Sequence, residues 1–214
     1  GTNSSTGVFY GDNLTSVVFP ETLEYIGDYA FYRSINLVSF NLDELDNLIE
    51  IGLGAFRQCS RLSSSISLPL SLRMIGSHAF NDCRSLTGDL TIPAGVETIE
   101  ASTFYYCSNL SSVTIGENVE SIGSSAFRYC GARVLTVSQS VTSLSSYCFA
   151  NMNNLSELYF NARNANNLTS TSHVFRSSGA DSGIEVTFGS SVTRVPAYLF
   201  YGSSTSYAPR VNIV

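Results

Sequence analysis

Apolar and polar positions recur along the chain with a period of 22–26 residues. The clearest marker is a phenylalanine that returns once in every period, which divides the chain into eight repeats. Self-similarity at this spacing is typical of solenoid proteins, in which each repeat forms one coil and covers the interior of the next. The marker phenylalanines are Phe31, Phe56, Phe80, Phe104, Phe127, Phe149, Phe175 and Phe200.

Other apolar positions keep a fixed distance from the phenylalanine. The position five residues earlier holds isoleucine in five repeats, leucine or valine in two, and Ser170 in the Phe175 repeat. The position eight residues earlier is leucine or valine in seven repeats, and the position six residues later is leucine in five. We expect these positions to fill the interior together with the phenylalanines.

A short run that alternates apolar and polar residues lies between successive phenylalanines, as in Val113-Thr114-Ile115 and Leu135-Thr136-Val137. A period of two with β-branched residues predicts a strand that has one buried face. The repeat is therefore predicted to contain this strand, a tight turn, a second extended segment and a helical or 3₁₀ turn that carries the phenylalanine. The outward strand residues would be Val18, Ser39, Ser67, Thr91, Thr114, Thr136 and Tyr159.

Glycine follows the isoleucine in four repeats, at Gly27, Gly52, Gly76 and Gly123. A residue without Cβ either takes a positive φ or allows another backbone to approach closely. Both interpretations fit the sequence, and in each the glycine has a geometric role.

Four of the five cysteines, Cys59, Cys83, Cys107 and Cys130, occupy the same position in consecutive repeats, whereas Cys148 precedes Phe149. Disulfide bonds between neighbouring positions are one interpretation, and a column of buried reduced thiols is the other. Parallel side chains in register seldom meet the disulfide torsion, and Ser34 and Met152 occupy the same position elsewhere, which favours the thiol column. Zinc is disfavoured because one row of thiols does not converge tetrahedrally.

Composition excludes several classes of function. Charged residues make up 13% of the 214 residues, hydrophobic residues 43%, and the formal net charge is −6. This negative charge would repel a nucleic-acid backbone. No stretch approaches the roughly 20 apolar residues of a membrane helix, and no basic leader with an apolar core opens the chain. We expect one solenoid domain over residues 1–214, with a flexible leader at 1–7.

The sequence contains no recognisable catalytic motif, cofactor motif or metal-ligand spacing. His78 is expected to be an ordinary exposed histidine, and His173 has no partner at ligand spacing. The acidic residues of the insertion 41–47 resemble a calcium loop only loosely, since the glycine and terminal glutamate of that motif are missing. We therefore predict a protein that is not an enzyme and that needs no cofactor or metal.

Tyrosines and arginines gather just after the phenylalanines. These residue types are enriched at binding hot spots, so this stripe is the candidate partner surface. The alternative interpretation is that long side chains at the corner of a coil only shield the core. The candidate contact residues are Tyr32, Arg57, Tyr105, Tyr106, Arg128, Tyr129 and Tyr201, with Tyr159 on the strand face.

The stretch from Leu110 to Cys130 follows the pattern L-x-x-V-T-I-x-x-x-V-x-S-I-G-x-x-A-F-x-x-C. This pattern resembles the BspA-type leucine-rich repeat of surface proteins from anaerobic bacteria and some parasitic protists. The resemblance extends from about Val8 to Val214, although the repeats around Phe175 and Phe200 lack the glycine and the cysteine. It implies a right-handed leucine-rich repeat coil with a parallel β-sheet, located at the cell surface or secreted.

We therefore expect a non-enzymatic adhesion or protein-binding module. Its ligand would be a protein or an extracellular-matrix component, including one from a host, with a glycan as a further option. One alternative is a structural spacer that holds another domain off the cell envelope, and another is a solenoid that binds or cleaves carbohydrate. The last residues, 211–214, resemble one more strand, so the chain is expected to continue or to end in an open edge.

Overall fold

The computed structural model describes residues 9, 13–179, 183–202 and 211–213. The predicted leader at 1–7 and Val214 lie outside the described residues. Within them the chain forms short parallel strands joined by tight turns. The strands are β1 Tyr25–Ile26, β2 Glu50–Ile51, β3 Met74–Ile75, β4 Gly88–Thr91, β5 Thr98–Ile99, β6 Leu110–Thr114, β7 Ser121–Ile122, β8 Val134–Val137, β9 Ser143–Leu144, β10 Glu157–Phe160, β11 Ile184–Phe188 and β12 Val211–Ile213.

Six of these strands build one long parallel sheet in the order β12-β11-β10-β8-β6-β4. Equivalent residues of successive repeats pair in register, so Thr136 lies between Thr114 and Tyr159. The two-residue strands form two further sheets, β1-β2-β3 and β5-β7-β9. The predicted parallel solenoid is therefore confirmed, and so is the predicted strand near the end of the chain, as β12.

The interior contains a continuous column of phenylalanine rings. From Phe31 to Phe175 the rings are buried, and neighbouring ring centroids lie 5.2–5.7 Å apart with their planes within about 21° of parallel. Phe9 extends the column at one end, 5.1 Å from Phe31. Phe200 extends it at the other end but is half-buried and tilted by 35°. The ring spacing is that of an offset aromatic stack.

The turn around each phenylalanine is not helical, which differs from the prediction. Residues two before and two after the phenylalanine have φ between 48° and 65° in most coils, as in Ser102 and Tyr106. The amide of Phe104 donates to the carbonyl of Ala126 in the next coil at 2.8 Å, whereas that of Tyr105 donates back to Ser102 at 3.2 Å. A helix would direct every amide along its own chain and leave none for the next coil.

Close backbone approach explains why glycine recurs directly after the isoleucine. None of Gly27, Gly52, Gly76 and Gly123 has a positive φ. A Cβ on Gly52, Gly76 or Gly123 would lie 2.6–2.8 Å from backbone or side-chain atoms of the preceding coil. A Cβ on Gly27 would meet no atom within 4 Å.

The regular strand pairing begins later than predicted. The run Val38-Ser39-Phe40 forms only the isolated bridge from Ser16 to Ser39, and beside the run Ile66-Ser67-Leu68 there is only the bridge from Ser65 to Thr87. The long sheet therefore begins at β4. The insertion at 41–47 follows the first run directly and contains the 3₁₀ helix Leu42–Glu44. Among the described residues this is the one helical segment.

One predicted core position is wrong. Val195 occupies the isoleucine position of the Phe200 repeat, yet 51% of its surface is exposed. Pro196 follows it, and proline cannot donate the amide hydrogen bond that the next rung of a ladder needs. No short strand forms there within the described residues. The predicted outward residues of the long sheet are all exposed or half-exposed.

Candidate binding surface

The cysteine positions form a column of hydrogen-bond donors inside the protein. All five cysteines are free and buried. The thiols of Cys59, Cys83 and Cys107 lie 3.1–3.2 Å from the phenylalanine carbonyl of the preceding coil. The hydroxyls of Ser34 and Ser178 make the same contact. Cysteine and serine therefore exchange at this position because both donate to that carbonyl, whereas Met152 fills the position without a side-chain donor.

Burial also determines the chemistry of these thiols. Removal from water raises the pKa of Cys59 and of Cys130 from 9.0 to about 12. The same cause raises the pKa of Cys83 and of Cys107 well above 9.0. Since the thiolate is the nucleophile and the metal ligand, a thiol held protonated is inert. The column therefore contributes to the interior and not to reactivity.

The outer side of the same turns carries a cluster of aromatic and arginine side chains. We call this cluster the ridge, and it comprises residues from four consecutive turns. The ring of Tyr106 stacks on that of Tyr129 at 4.7 Å, and Tyr105 meets Tyr129 edge-on at 5.7 Å. The ridge residues are Arg84, Tyr105, Tyr106, Arg128, Tyr129 and Tyr147.

Two guanidinium groups hold the ridge tyrosines in place. Arg84 lies 4.9 Å from the ring centre of Tyr106, and Arg128 lies 5.0 Å from the ring centres of both Tyr129 and Tyr147. Such contacts are favourable because the face of an aromatic ring is electron-rich. The ridge therefore runs without a break from Arg84 to Tyr147.

Hydrogen bonds fix the orientation of both arginines. The Nε of Arg128 donates to the side-chain oxygen of Asn151 at 3.1 Å, and the Nε of Arg84 pairs with Asp82 at 2.5 Å. Burial raises the pKa of Tyr105, while the charge of Arg128 acts in the opposite direction. Within the described residues, Arg84 and Asp82 form the one ion pair. The ridge tyrosines and Arg128 are half-buried, whereas Arg84 at one end of the ridge is exposed.

The structure brings together only half of the predicted contact residues. Tyr105, Tyr106, Arg128 and Tyr129 all belong to the ridge. Tyr32 and Arg57 form a separate pair at 5.6 Å, nearer the N-terminal end. Tyr201 stacks on His173 at 6.3 Å near the C-terminal end, and Tyr159 lies on β10 of the long sheet.

Two ridge residues were missed by sequence reasoning. Tyr147 lies two residues before its phenylalanine, and Arg84 lies four residues after its own, so neither follows the ring directly. Tyr147 shares its position with His78, which is half-buried and not exposed as predicted. Burial, followed by the charge of Arg57, lowers the pKa of His78. The sequence carries no local signal for Tyr147 or Arg84, because the left-handed backbone at Tyr147 and at Asp82 depends on hydrogen bonds to the next coil.

The described residues were predicted to hold neither a metal site nor a membrane span. Among the residues that the structure describes, no group of three or more histidine, cysteine, aspartate or glutamate side chains could hold a metal ion. None of the described helical segments has the length and apolar character to cross a membrane.

A family model described as the BspA type leucine-rich repeat region, with six copies, matches residues 2–88 and 88–206. The chain belongs to the BspA-type leucine-rich repeat family. This confirms the resemblance that the repeat pattern indicated. No curated protein sequence matches the chain significantly.

Solved structures of bacterial leucine-rich repeat proteins are similar to this BspA-type chain. A leucine-rich cell surface protein of Faecalibacterium prausnitzii A2-165 is 30% identical, with a TM-score of 0.60, over 71% of this chain and 40% of that one. The leucine-rich repeat protein of T. pallidum is 22% identical over 83% of this chain and 74% of that one, with a TM-score of 0.47. The pneumococcal vaccine antigen PcpA is 19% identical over 94% of this chain and 57% of that one, with a TM-score of 0.46. The chain thus spans 40% of the length of the F. prausnitzii protein.

Proposed function

We propose that this chain is a non-enzymatic binding module, secreted or displayed at a bacterial cell surface, that recognises a protein or extracellular-matrix ligand through the ridge. The observation that carries the proposal is the unbroken set of tyrosine and arginine contacts over four turns. A surface location is supported by the similarity to the F. prausnitzii cell surface protein.

The ridge has the physical properties of a binding surface. Tyrosine and arginine contribute a large share of binding energy at protein interfaces because they combine apolar area with directional hydrogen bonds. The ridge side chains are already held by one another, so little conformational entropy would be lost when a ligand docks. The phenylalanine column beneath them adds a rigid support.

If the ridge residues only shielded the core, they would need different properties from those of a binding surface. Phe104 and Phe127 have no exposed surface, and each ring is stacked on the rings of the neighbouring coils. Shielding would need apolar area only. It would not need two arginines with defined hydrogen bonds, such as that from Arg128 to Asn151.

Binding of the wild-type chain to a panel of immobilised matrix proteins and glycans tests this function. The ridge variant replaces Tyr105, Tyr106, Arg128 and Tyr129 with alanine. A matched long-face variant replaces Thr114, Thr136 and Tyr159 with alanine. We expect the ridge variant to lose at least about tenfold in affinity, since removal of hot-spot residues typically costs more than about 2 kcal/mol.

The long-face variant is expected to bind as the wild type does. Loss of binding in the long-face variant alone would show that the ligand binds the long sheet and not the ridge. Absence of any wild-type binding across the panel would favour the structural spacer, whose role does not depend on the ridge. Circular dichroism of both variants shows whether the coil itself is intact.

A further inference from the structure

The long sheet opens into a cleft at one point. A cavity of about 640 Å³ lies between the segment 65–70 and strand β4, where two successive coils diverge. The bridge from Ser65 to Thr87 is the last backbone pairing before these two segments separate. Beyond it, the ladder that joins every later pair of long strands is missing on this side of β4.

The cleft exposes the hydrogen-bonding edge of β4. In a parallel strand the amide and carbonyl of one residue point to the same side, and successive residues alternate. The amide of Ile92 donates to Thr114 in β6 at 2.9 Å, so the backbone of Thr91 and of Asp89 points the opposite way, into the cleft. No described residue bonds to the backbone amides or carbonyls of Asp89 and Thr91.

The walls of the cleft carry negative charge. The insertion at 41–47 buries Leu42 and Leu45 completely, while the polar residues beside them, Asp43 and Asp46, are exposed. Asp43 and Asp46 from the insertion line the cavity together with Asp89, and no arginine lines it. One oxygen of Asp89 accepts a hydrogen bond from Ser112 at 2.7 Å. Within the described residues none of these three carboxylates has a cationic partner.

The floor of the cleft is apolar. Leu68 and Pro69 are buried below it, and the neighbouring Leu70 is 83% exposed. An aliphatic side chain can pack on such a floor while a charged group at its end reaches a carboxylate, as the stems and heads of lysine and arginine do.

We infer that this cleft binds an extended, basic peptide segment of a partner protein, which adds a strand to the free edge of β4. The unpaired backbone groups specify an extended chain, since strand addition is the way that a peptide satisfies an open sheet edge. The three carboxylates specify lysine or arginine side chains. This site is separate from the ridge and does not rest on it.

The test measures fluorescence anisotropy of a labelled six-residue peptide of alternating lysine and valine on the wild-type chain. An analogue with methylated backbone amides along one edge has the same charge but cannot donate along that edge. We expect the first peptide to bind and the methylated analogue to bind at least about tenfold more weakly, because backbone bonds would carry much of the affinity. A glutamate-valine peptide should not bind.

Protein variants locate the site. Asp43→Asn with Asp46→Asn should weaken binding by about tenfold, as two charge-assisted contacts are lost. The matched control is Glu97→Gln with Glu120→Gln, which removes the same charge from two exposed residues outside the cleft and should leave binding unchanged. The ridge variant should also bind the peptide normally, so that the two surfaces can fail independently.

Several results would overturn the inference. Equal binding of the methylated analogue would show that charge alone attracts the peptide, and equal loss in both double variants would show the same. Absence of peptide binding would remove the site. Displacement of the peptide by calcium ions, together with a higher melting temperature, would assign the carboxylates to a cation instead.

Discussion

The two sides of each turn share one backbone but accept different residues. On the inner side every coil carries a phenylalanine, and consecutive rings from Phe31 to Phe175 stack at 5.2–5.7 Å. On the outer side the position two residues before the ring holds tyrosine, glycine, histidine or serine. The inner side chain is fixed by coils above and below, whereas the outer one is half-buried or exposed in most coils and buried at His173. The backbone ladder therefore provides a constant scaffold, and the outer positions are free to specify a ligand.

The largest expected effect comes from ionising the interior in alkali. The thiols of Cys59 and Cys130 have pKa values of about 12 in the folded chain and 9.0 when exposed. Between pH 9 and pH 12 the folded state therefore holds more protons, and the free energy of unfolding falls as the pH rises. Each pH unit by which the two pKa values differ is worth about 1.4 kcal/mol per thiol. Below pH 9 this stabilisation is complete.

Urea unfolding from pH 8 to pH 12 measures this loss. The control is Cys59→Ser with Cys130→Ser, because serine already occupies the same position at Ser34 and Ser178. The serine variant should lose less stability over this range. An identical alkaline loss in both proteins would mean that the thiols are not the cause.

Removal of one ring tests the inner side directly. Phe104 is fully buried and stacks on a ring at 5.4 Å on each side. Phe104→Ala should lower the free energy of unfolding by about 3–5 kcal/mol, as large-to-small core changes do. Phe200→Ala, at the half-buried end of the column, should lose less than half as much. Equal losses measured by urea unfolding would show that a ring in the middle of the column contributes no more to stability than a ring at its end.

A glycine pair tests how closely the coils approach. A Cβ on Gly76 would lie 2.6 Å from the backbone nitrogen of Leu53, whereas one on Gly27 meets nothing within 4 Å. Gly76→Ala should cost about 1–3 kcal/mol through overpacking. Gly27→Ala should leave stability unchanged or raise it by up to about 1 kcal/mol. If Gly27→Ala lowered the melting temperature more than Gly76→Ala, close approach of the coils at Gly76 would not be the reason for its glycine.

The smallest effect is expected on the open face of the long sheet. Thr114 points outward from β6, and its side chain is exposed. Thr114→Ala should change the free energy of unfolding by less than about 0.5 kcal/mol. A loss above about 1 kcal/mol would place this residue in a packed region and remove the contrast between the two sides.

The sequence was sufficient to predict most of the interior, because burial restricts each repeated position to a few residue types of similar size. Phe104, Cys107 and Leu110 could be assigned to the core from spacing alone, and the structure places all three there. The helical turn was wrong because, apart from Gly54, the left-handed positions around the phenylalanines carry no glycine that would have signalled them. Ser125 and Tyr129 adopt φ values of 56° and 61°, held by bonds to the next coil that no local pattern reveals.

The ridge and the cleft both form where two coils meet. Their residues were therefore harder to predict from the sequence than those of the interior. Arg84 reaches Tyr106 across a coil boundary, so no single repeat contains the pair. The cleft arises because the segment 65–70 diverges from β4. Such divergence depends on the relative path of two coils, which spacing within one repeat does not encode.

The most direct test of the division between inner and outer sides compares two variants in one experiment. Unfolding free energy and affinity for a panel ligand are measured for Phe104→Ala and for the ridge variant, at a temperature where both are folded. We expect Phe104→Ala to lose stability and retain its affinity, and the ridge variant to lose affinity while it still unfolds cooperatively. Parallel losses of stability and affinity in both variants would contradict the account.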